Sequence, residues 1–420
     1  MDASTPAGAS TSALAPFRVR AFRYQWPADL ATSWAFEMET LILGWYVLTE
    51  TRSVLMLTIF ASLLYVGTLL SPMLGVMGDR IGHRRVLCGM RIMYATLASV
   101  LMLAALLGKV TPTLVLMVTA LLGLVKPSDI GMRTALVGET MPPQHLMAAM
   151  GIQRTTQDSA RIAGALSGAG LVALLGMGYA YVAVVAFYVI SVLLTLKAGG
   201  ERSSHQARVA QQATPWRDLR EGLGYVWRTP HLKATMLFAF LLNLTAFPLF
   251  TGLMPYVAKE VYGATQATLG TMVASAATGS LIGSIFMSRF GNVFAPARAM
   301  LVCGALWLVA LLFFAQTTSP AAGIPVLFLA GIAQTMGLIP INALLLRSSD
   351  ERYRGRIMGI RMMAIYGNLP GLLIAAPLIA NFGYAVMATI YCMFGVLVTV
   401  LIALFWHRQL WRRDAAANRR

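Results

Sequence analysis

Apolar stretches of about 20 residues recur from one end of the chain to the other, and as helices each is long enough to cross a hydrocarbon core about 30 Å thick. Short polar turns separate them. The pattern predicts helical spans at 27–48, 54–78, 86–107, 112–136, 147–175 and 178–196, then at 233–256, 267–289, 298–316, 323–346, 357–380 and 384–406. The expectation is an all-α polytopic membrane protein with twelve transmembrane helices. The longest polar connection, 197–232, falls near the middle and divides the spans into two bundles of six, 27–196 and 233–406. Residues 1–26 read as a disordered arm, with Met1–Pro16 small, polar and without the apolar core of a signal peptide, and 407–420 as a basic tail.

The halves repeat one another. Met150-Gly151-Ile152 returns as Met358-Gly359-Ile360, Arg80-x-Gly82 as Arg289-x-Gly291, and Gly178-Tyr179-Ala180 as Gly383-Tyr384-Ala385, at offsets of 208, 209 and 205 residues. Near-equal offsets at half the chain length indicate an internal duplication, so the two bundles are expected to be pseudo-symmetric.

Charge orients the spans. The chain has 58% hydrophobic and 12% charged residues and a formal charge of +17. In a soluble protein that excess would point to nucleic acid. Here 24 of the 33 Lys and Arg fall on the side of the termini and only Arg52, Lys109 and Lys259 in the opposite loops, which by the positive-inside rule makes both termini cytoplasmic and needs no nucleic-acid partner. Within the connection, Trp216, Leu219, Leu223 and Tyr225-Val226 recur at near-helical spacing with Arg217, Arg220 and Arg228 between them. That suits a helix lying on the inner membrane surface, in contact with lipid; a solvated linker is the alternative. Cys88, Cys303 and Cys392 lie apart in apolar stretches, so no metal site and no cofactor is expected.

Between the second and third spans stands Gly75-Val-Met-Gly-Asp79-Arg80-Ile-Gly82-His83-Arg84-Arg85. This resembles the loop signature of the major facilitator superfamily, G-x-x-x-D-R-x-G-R-R/K, matching at Gly75, Asp79, Arg80, Gly82 and Arg84, with His83 in place of the first basic residue. The resemblance implies a secondary transporter of small molecules, monomeric, with one pathway between the halves. It also implies that Asp79 latches the halves on the cytoplasmic side, its partner being Arg354-Gly355-Arg356 at the start of the eleventh span; the alternative is that this loop only sets topology. Leu48-Thr49, Ser71-Pro72-Met-Leu-Gly75, Arg220-Glu221-Gly222-Leu-Gly-Tyr225-Val226 and Arg354-Gly355-Arg356-Ile-Met358-Gly359 look like the branch of macrolide exporters and an enterobactin exporter. That branch implies efflux driven by an ion gradient across a bacterial inner membrane. The fifth span reads Gly164-Ala165-Leu-Ser-Gly168-Ala-Gly170 and lacks the proline of the family's antiporter motif, which keeps an importer or facilitator open.

Ionisable residues at bilayer depth are costly and mark candidate sites. Glu37 and Glu39 fall near the middle of the first span, Lys126, Asp129 and Arg133 share a face of the fourth, and Arg154, Asp158 and Arg161 share a face of the fifth. Arg91 and Arg361 lie nearer the cytoplasmic ends. Glu37 and Glu39, two residues apart, cannot share a face, and Glu39 is favoured as the one lining the cavity. One of Glu39, Glu37 and Asp129 is expected to take up and release a proton or another coupling ion; a static ion-pair lattice is the alternative. The C-terminal spans offer Asn243, Gln334, Asn342 and Asn368 as an uncharged substrate wall, fit for a bulky or amphipathic organic solute, and Pro248, Pro340 and Pro370 as possible bends. Against an enzyme, there is no phosphate-binding Gly-rich loop, no Gly-x-Ser-x-Gly and no His-Glu-x-x-His. A non-transporting membrane sensor is the remaining rival.

Overall fold

The computed structural model describes residues 15–198, 215–291, 293–347 and 354–407, and these are helical throughout, with no strand among them. Each of the twelve expected spans falls on helix. Among the described residues, nine helices are long and apolar enough to cross a membrane by length and composition. One of them, ending at Lys197, holds the fifth and sixth spans together: the helix Pro143–Lys197 is interrupted at Gly176, at φ 80 and ψ 171. The first span, Arg20–Thr51, carries Asp29, Glu37 and Glu39 and is therefore less apolar. The second is broken into Val54–Leu63, a 3-10 turn Val66–Leu70, and Ser71–Ile81.

That break has a cause in packing. A Cβ on Gly67 would lie 2.0 Å from the Leu124 carbonyl oxygen, and one on Gly123 would lie 1.8 Å from that of Leu63, so the second and fourth spans cross backbone against backbone. The eighth (Gln266–Phe290) and tenth (Pro320–Arg347) spans cross in the same way, at Gly279 against the Phe328 oxygen and Gly331 against that of Ala276. Small residues allow this close approach where lipid supplies no hydrophobic drive between helices. The duplication is also visible in the backbone: Gly383, ahead of the twelfth span Tyr384–Phe405, has φ 83 and ψ 165, nearly the values of Gly176 ahead of the sixth.

Buried apolar side chains form one large cluster in each half, around Trp307, Phe238 and Leu311 in the C-terminal half and around Tyr188, Leu87 and Val118 in the N-terminal half. A third, small cluster corrects the expected arm. Residues 15–26 are ordered: Phe22 is fully buried against Val137, Met141 and Ala149, and Phe17 packs edge-on against Phe22 and Trp26. The aromatic residues of this segment seal the basic ends of the fourth and fifth spans, so the first helix begins at Arg20 and not near residue 27.

Of the expected linker, residues 199–214 lie outside those described, while Pro215–Arg228 forms a helix that packs on the start of the eleventh span and on the seventh, Pro230–Phe247. Val226 is buried, Leu223 and Trp227 are exposed, and Lys233 lies over the Trp227 ring at 4.4 Å. Among the prolines, Pro248 opens a π-helical turn, Pro248–Gly252. Pro340 lies inside an unbroken helix. Pro370 falls in the first turn of Asn368–Phe382, just after a 3-10 turn at Ala364–Gly367, where its missing N–H would have had no helical partner in any case.

The halves meet on the face opposite the basic loops. Leu41, Ala165 and Ala169 of the N-terminal half belong to the C-terminal cluster, and Tyr256 packs against both clusters. A Cβ on Gly252 would meet Leu372 and, at 3.6 Å, the Ala61 methyl; one on Gly270 would meet Ala169 at 2.6 Å. On the basic side of this seal, at mid-depth, a cavity of about 140 Å³ opens between the halves.

Candidate functional site

The first span presents Asp29, Ser33 and Glu37 at i, i+4 and i+8, one stripe along one helix face. At its basic end Asp29 is the hub of a buried cluster. Arg91 of the third span donates to Asp29 and to Thr195 of the sixth. Arg133 of the fourth stands 2.5 Å from Asp129 and 3.7 Å from Asp29, and donates to the Ser33 hydroxyl at 2.7 Å and the Asp29 carbonyl at 3.2 Å. Gln153 of the fifth donates to the other Asp29 oxygen at 3.4 Å. Five of the six N-terminal spans are tied together through one carboxylate.

Further along the stripe Glu37 stands 3.6 Å from Arg161 of the fifth span, both partly exposed. Lys126 lies over the Phe36 ring, within electrostatic reach of Glu37, Asp129 and Glu39. Tyr65, in the broken stretch of the second span, lies in the field of Glu37 and Arg161 and interacts with Thr251 and Asn368 across the gap. The cavity is lined by Tyr65, Asn243, Phe247, Leu338, Arg361 and Asn368 among others. Apart from Tyr65, in whose vicinity the Glu37–Arg161 pair stands, the lining is an amide, aromatic and aliphatic wall of the C-terminal half that holds one arginine.

Glu39 is corrected. Its side chain is 1% exposed and turned away from the gap into the N-terminal bundle, where the Tyr188 hydroxyl donates to it at 2.9 Å and that of Tyr181 stands 3.5 Å away. Residues two apart are about 200° apart around a helix, and Glu37 takes the face toward Arg161 of the fifth span. Asp158 is buried 3.3 Å from Arg154, whose own side chain is 52% exposed. Of the expected substrate wall, Asn243 and Asn368 line the cavity. Gln334 does not: it is buried where the eighth and tenth spans cross, its amide oxygen accepting from Ser280 at 3.0 Å, because close packing turns it into that crossing. Asn342 is adjacent to the lining residue Ile341 but is not itself part of the lining.

At the loop signature, Gly82 with φ 101 turns the second span into the third, Arg84 donates to the Leu196 carbonyl at 2.7 Å, and His83 lies 2.7 Å from Glu139. Arg80 is exposed and Gly75 partly so. These contacts hold spans of the same half together. The side chains of Asp79, Arg354 and Arg356, on which the expected latch rests, lie outside those described.

Asp29, Tyr65, Tyr181 and Tyr188 were not singled out from the sequence. The i, i+4, i+8 stripe of Asp29, Ser33 and Glu37, and the i, i+7 pair Tyr181 and Tyr188 in an apolar span, are the signals that mark three of them. Tyr65 carries no such signal, since its position depends on the break in its helix.

The sequence matches the family model of the Major Facilitator Superfamily over residues 28–366, with a second match over 236–419. It is 25% identical over 358 residues to an uncharacterized MFS-type transporter, YuxJ of Bacillus subtilis (strain 168), covering 83% of this chain and 87% of that one. The fold is similar to that of the POT family transporter PepTSo, with a TM-score of 0.73 at 12% identity over 94% of this chain and 99% of that one. It is also similar to that of the nucleoside transporter NupG, with a TM-score of 0.69 at 14% identity over 92% and 99%. With a bundle core in each half, a cavity between them and a family match over most of its length, the chain belongs to the major facilitator superfamily and is a multi-pass membrane transporter of that type.

Proposed function

We propose that this transporter exports a small organic molecule by ion-coupled alternating access, in exchange for protons, from the cytoplasm of a bacterium across its inner membrane, with both termini inside. The observation that carries the reading is the partly exposed Glu37–Arg161 pair, which acts on Tyr65 of the cavity lining. Glu39 is sealed among tyrosines and Asp129 is held by Arg133, whereas Glu37 is partly exposed beside the cavity. Protonation of Glu37 would release Arg161, and loss of that proton would restore the pair. Cargo that engages the same wall then alternates with the proton in a cycle.

The direction rests on the short sequence resemblances to exporters and on the placement of the cavity on the basic, cytoplasmic side of a closed seal, where cargo would enter from within. Import or facilitated passage is the second reading, favoured by the absence of proline from Gly164-Ala165-Leu-Ser-Gly168.

The test compares small molecules retained by cells that lack their main exporters and carry wild type, Glu37→Gln, Glu39→Gln or Asp129→Asn at equal expression. Depletion from wild-type cells, lost in Glu37→Gln, is the expected result. Enrichment in wild-type cells would establish uptake instead. Equal depletion by Glu37→Gln and wild type, at every pH, would remove Glu37 from the coupling step.

A further inference from the structure

The cavity between the halves contains two orphaned polar atoms of opposite kind. Arg361 Nε is buried without a hydrogen-bond partner, and so is Asn368 Oδ1. No carboxylate among the described residues faces Arg361; the charged neighbour that acts on it is Arg154, a like charge carried by the other half. Arg154 spends one edge of its guanidinium on Asp158 and leaves the remainder exposed. Two guanidinium groups on opposite halves thus lie within electrostatic reach of one another. An unpaired cation at this depth is costly, and a charge-assisted hydrogen bond to an anion is the chemistry that relieves it.

We infer that Arg361 forms an anion site in this cavity, in the field of Arg154 from the other half, and that the cargo is a small organic acid. Its anionic group bonds Arg361 and screens Arg361 from Arg154, a hydroxyl or amine on the same molecule donates to Asn368 Oδ1, and its apolar body lies against Phe247, Leu338 and Ile341. The cavity of about 140 Å³ sets the size: one aromatic ring, since a cavity of about 150 Å³ is filled by benzene. Because the cavity is closed on the N-terminal side by Tyr65, and the bound anion offsets the repulsion between Arg361 and Arg154, binding favours closure of the basic ends. The inference rests on the transport reading only in taking this cavity as the cargo site.

The test uses the full chain in phosphatidylcholine nanodiscs, with hydroxybenzoate, aminobenzoate and hydroxyphenyl phosphate as probes and the neutral hydroxybenzamide and the cationic hydroxybenzylamine as matched controls. Unfolding temperature and calorimetric binding are read. At least one acid stabilises wild type and its matched controls do not; Arg361→Gln binds that acid at least tenfold more weakly while unfolding no earlier than wild type, and Arg361→Lys recovers part of the affinity. Equal stabilisation by acid and amide, wild-type affinity in Arg361→Gln, or no stabilisation by any acid overturns the proposal. So does stabilisation through Arg361 by phosphatidylglycerol alone, which assigns the site to a lipid headgroup. Flux in proteoliposomes separates the two readings. An acid that binds and is not moved overturns transport and leaves the site; a neutral or cationic compound moved in preference to the acids leaves transport and overturns the site.

Discussion

Asp29 is the point on which most of the buried charge of the N-terminal half converges. Its two oxygens serve Arg91, Arg133 and Gln153, and both arginines are almost wholly buried. Neutralising Asp29 leaves Arg133 its pair with Asp129 but takes from the fully buried Arg91 the carboxylate it donates to, and leaving a buried charge unpaired costs about 3–5 kcal/mol. Asp29→Asn is therefore expected to lower the unfolding temperature of the purified protein sharply, whether or not cargo is present. Stability equal to wild type would show that Arg91 finds another partner. Glu37 contrasts with it: its pair with Arg161 is partly exposed, and its loss should alter transport far more than stability.

At the scale of elements, the connection between the fifth and sixth spans turns on Gly176 and that between the eleventh and twelfth on Gly383, both at φ near 80 with ψ near 170, a region open essentially to glycine alone. Gly176→Ala and Gly383→Ala are each expected to cost about 1–3 kcal/mol, read as a fall in unfolding temperature, and the two losses should be similar because the corners are similar. The spans themselves were legible in the sequence, because a run of about 20 apolar residues has few other uses. The break in the second span was not. It follows from Gly67 and Gly123 meeting in space, and nothing within residues 54–81 records the partner. The ordered segment before residue 27 was hidden for the same reason: Phe22 is apolar in a polar stretch, and its pocket is made by Val137, Met141 and Ala149. Among the candidate site residues, the trios on the fourth and fifth spans were legible from helical spacing. The choice between Glu37 and Glu39 was not, since periodicity shows that the two faces differ but not which neighbour each face meets.

Across the whole molecule, the halves are joined at one face and hold a cavity on the other side of the join. Alternating access requires that this join open. Ala61 of the second span and Gly252 of the seventh lie on opposite halves, and a Cβ on Gly252 would be 3.6 Å from that of Ala61, within the range a disulfide spans. In a protein with Cys88, Cys303 and Cys392 replaced, the double substitution Ala61→Cys and Gly252→Cys should form a bond on oxidation that stops transport and is reversed by reductant. Undiminished flux in the oxidised protein would show that this seal stays closed throughout the cycle.

The division of charge between the halves reaches beyond binding. Counted as formal charges, Asp29, Glu37, Glu39, Asp129 and Asp158 balance Arg91, Lys126, Arg133, Arg154 and Arg161 within the N-terminal spans, while Arg361 stands alone among the described residues at depth in the C-terminal ones. With Glu37 ionised, a rigid rocking of the halves therefore carries no net charge with the first half and one positive charge with the second. An electric field across the membrane acts on that charge in the empty carrier, at up to about 2.3 kcal/mol per 100 mV for a full crossing, and loses its grip when an anion sits on Arg361. Transient currents from the cargo-free protein in a supported bilayer, with Glu37 ionised, should accordingly be present in wild type and largely absent in Arg361→Gln, so the membrane voltage would act on the cargo-free movement and leave the cargo-loaded step nearly untouched.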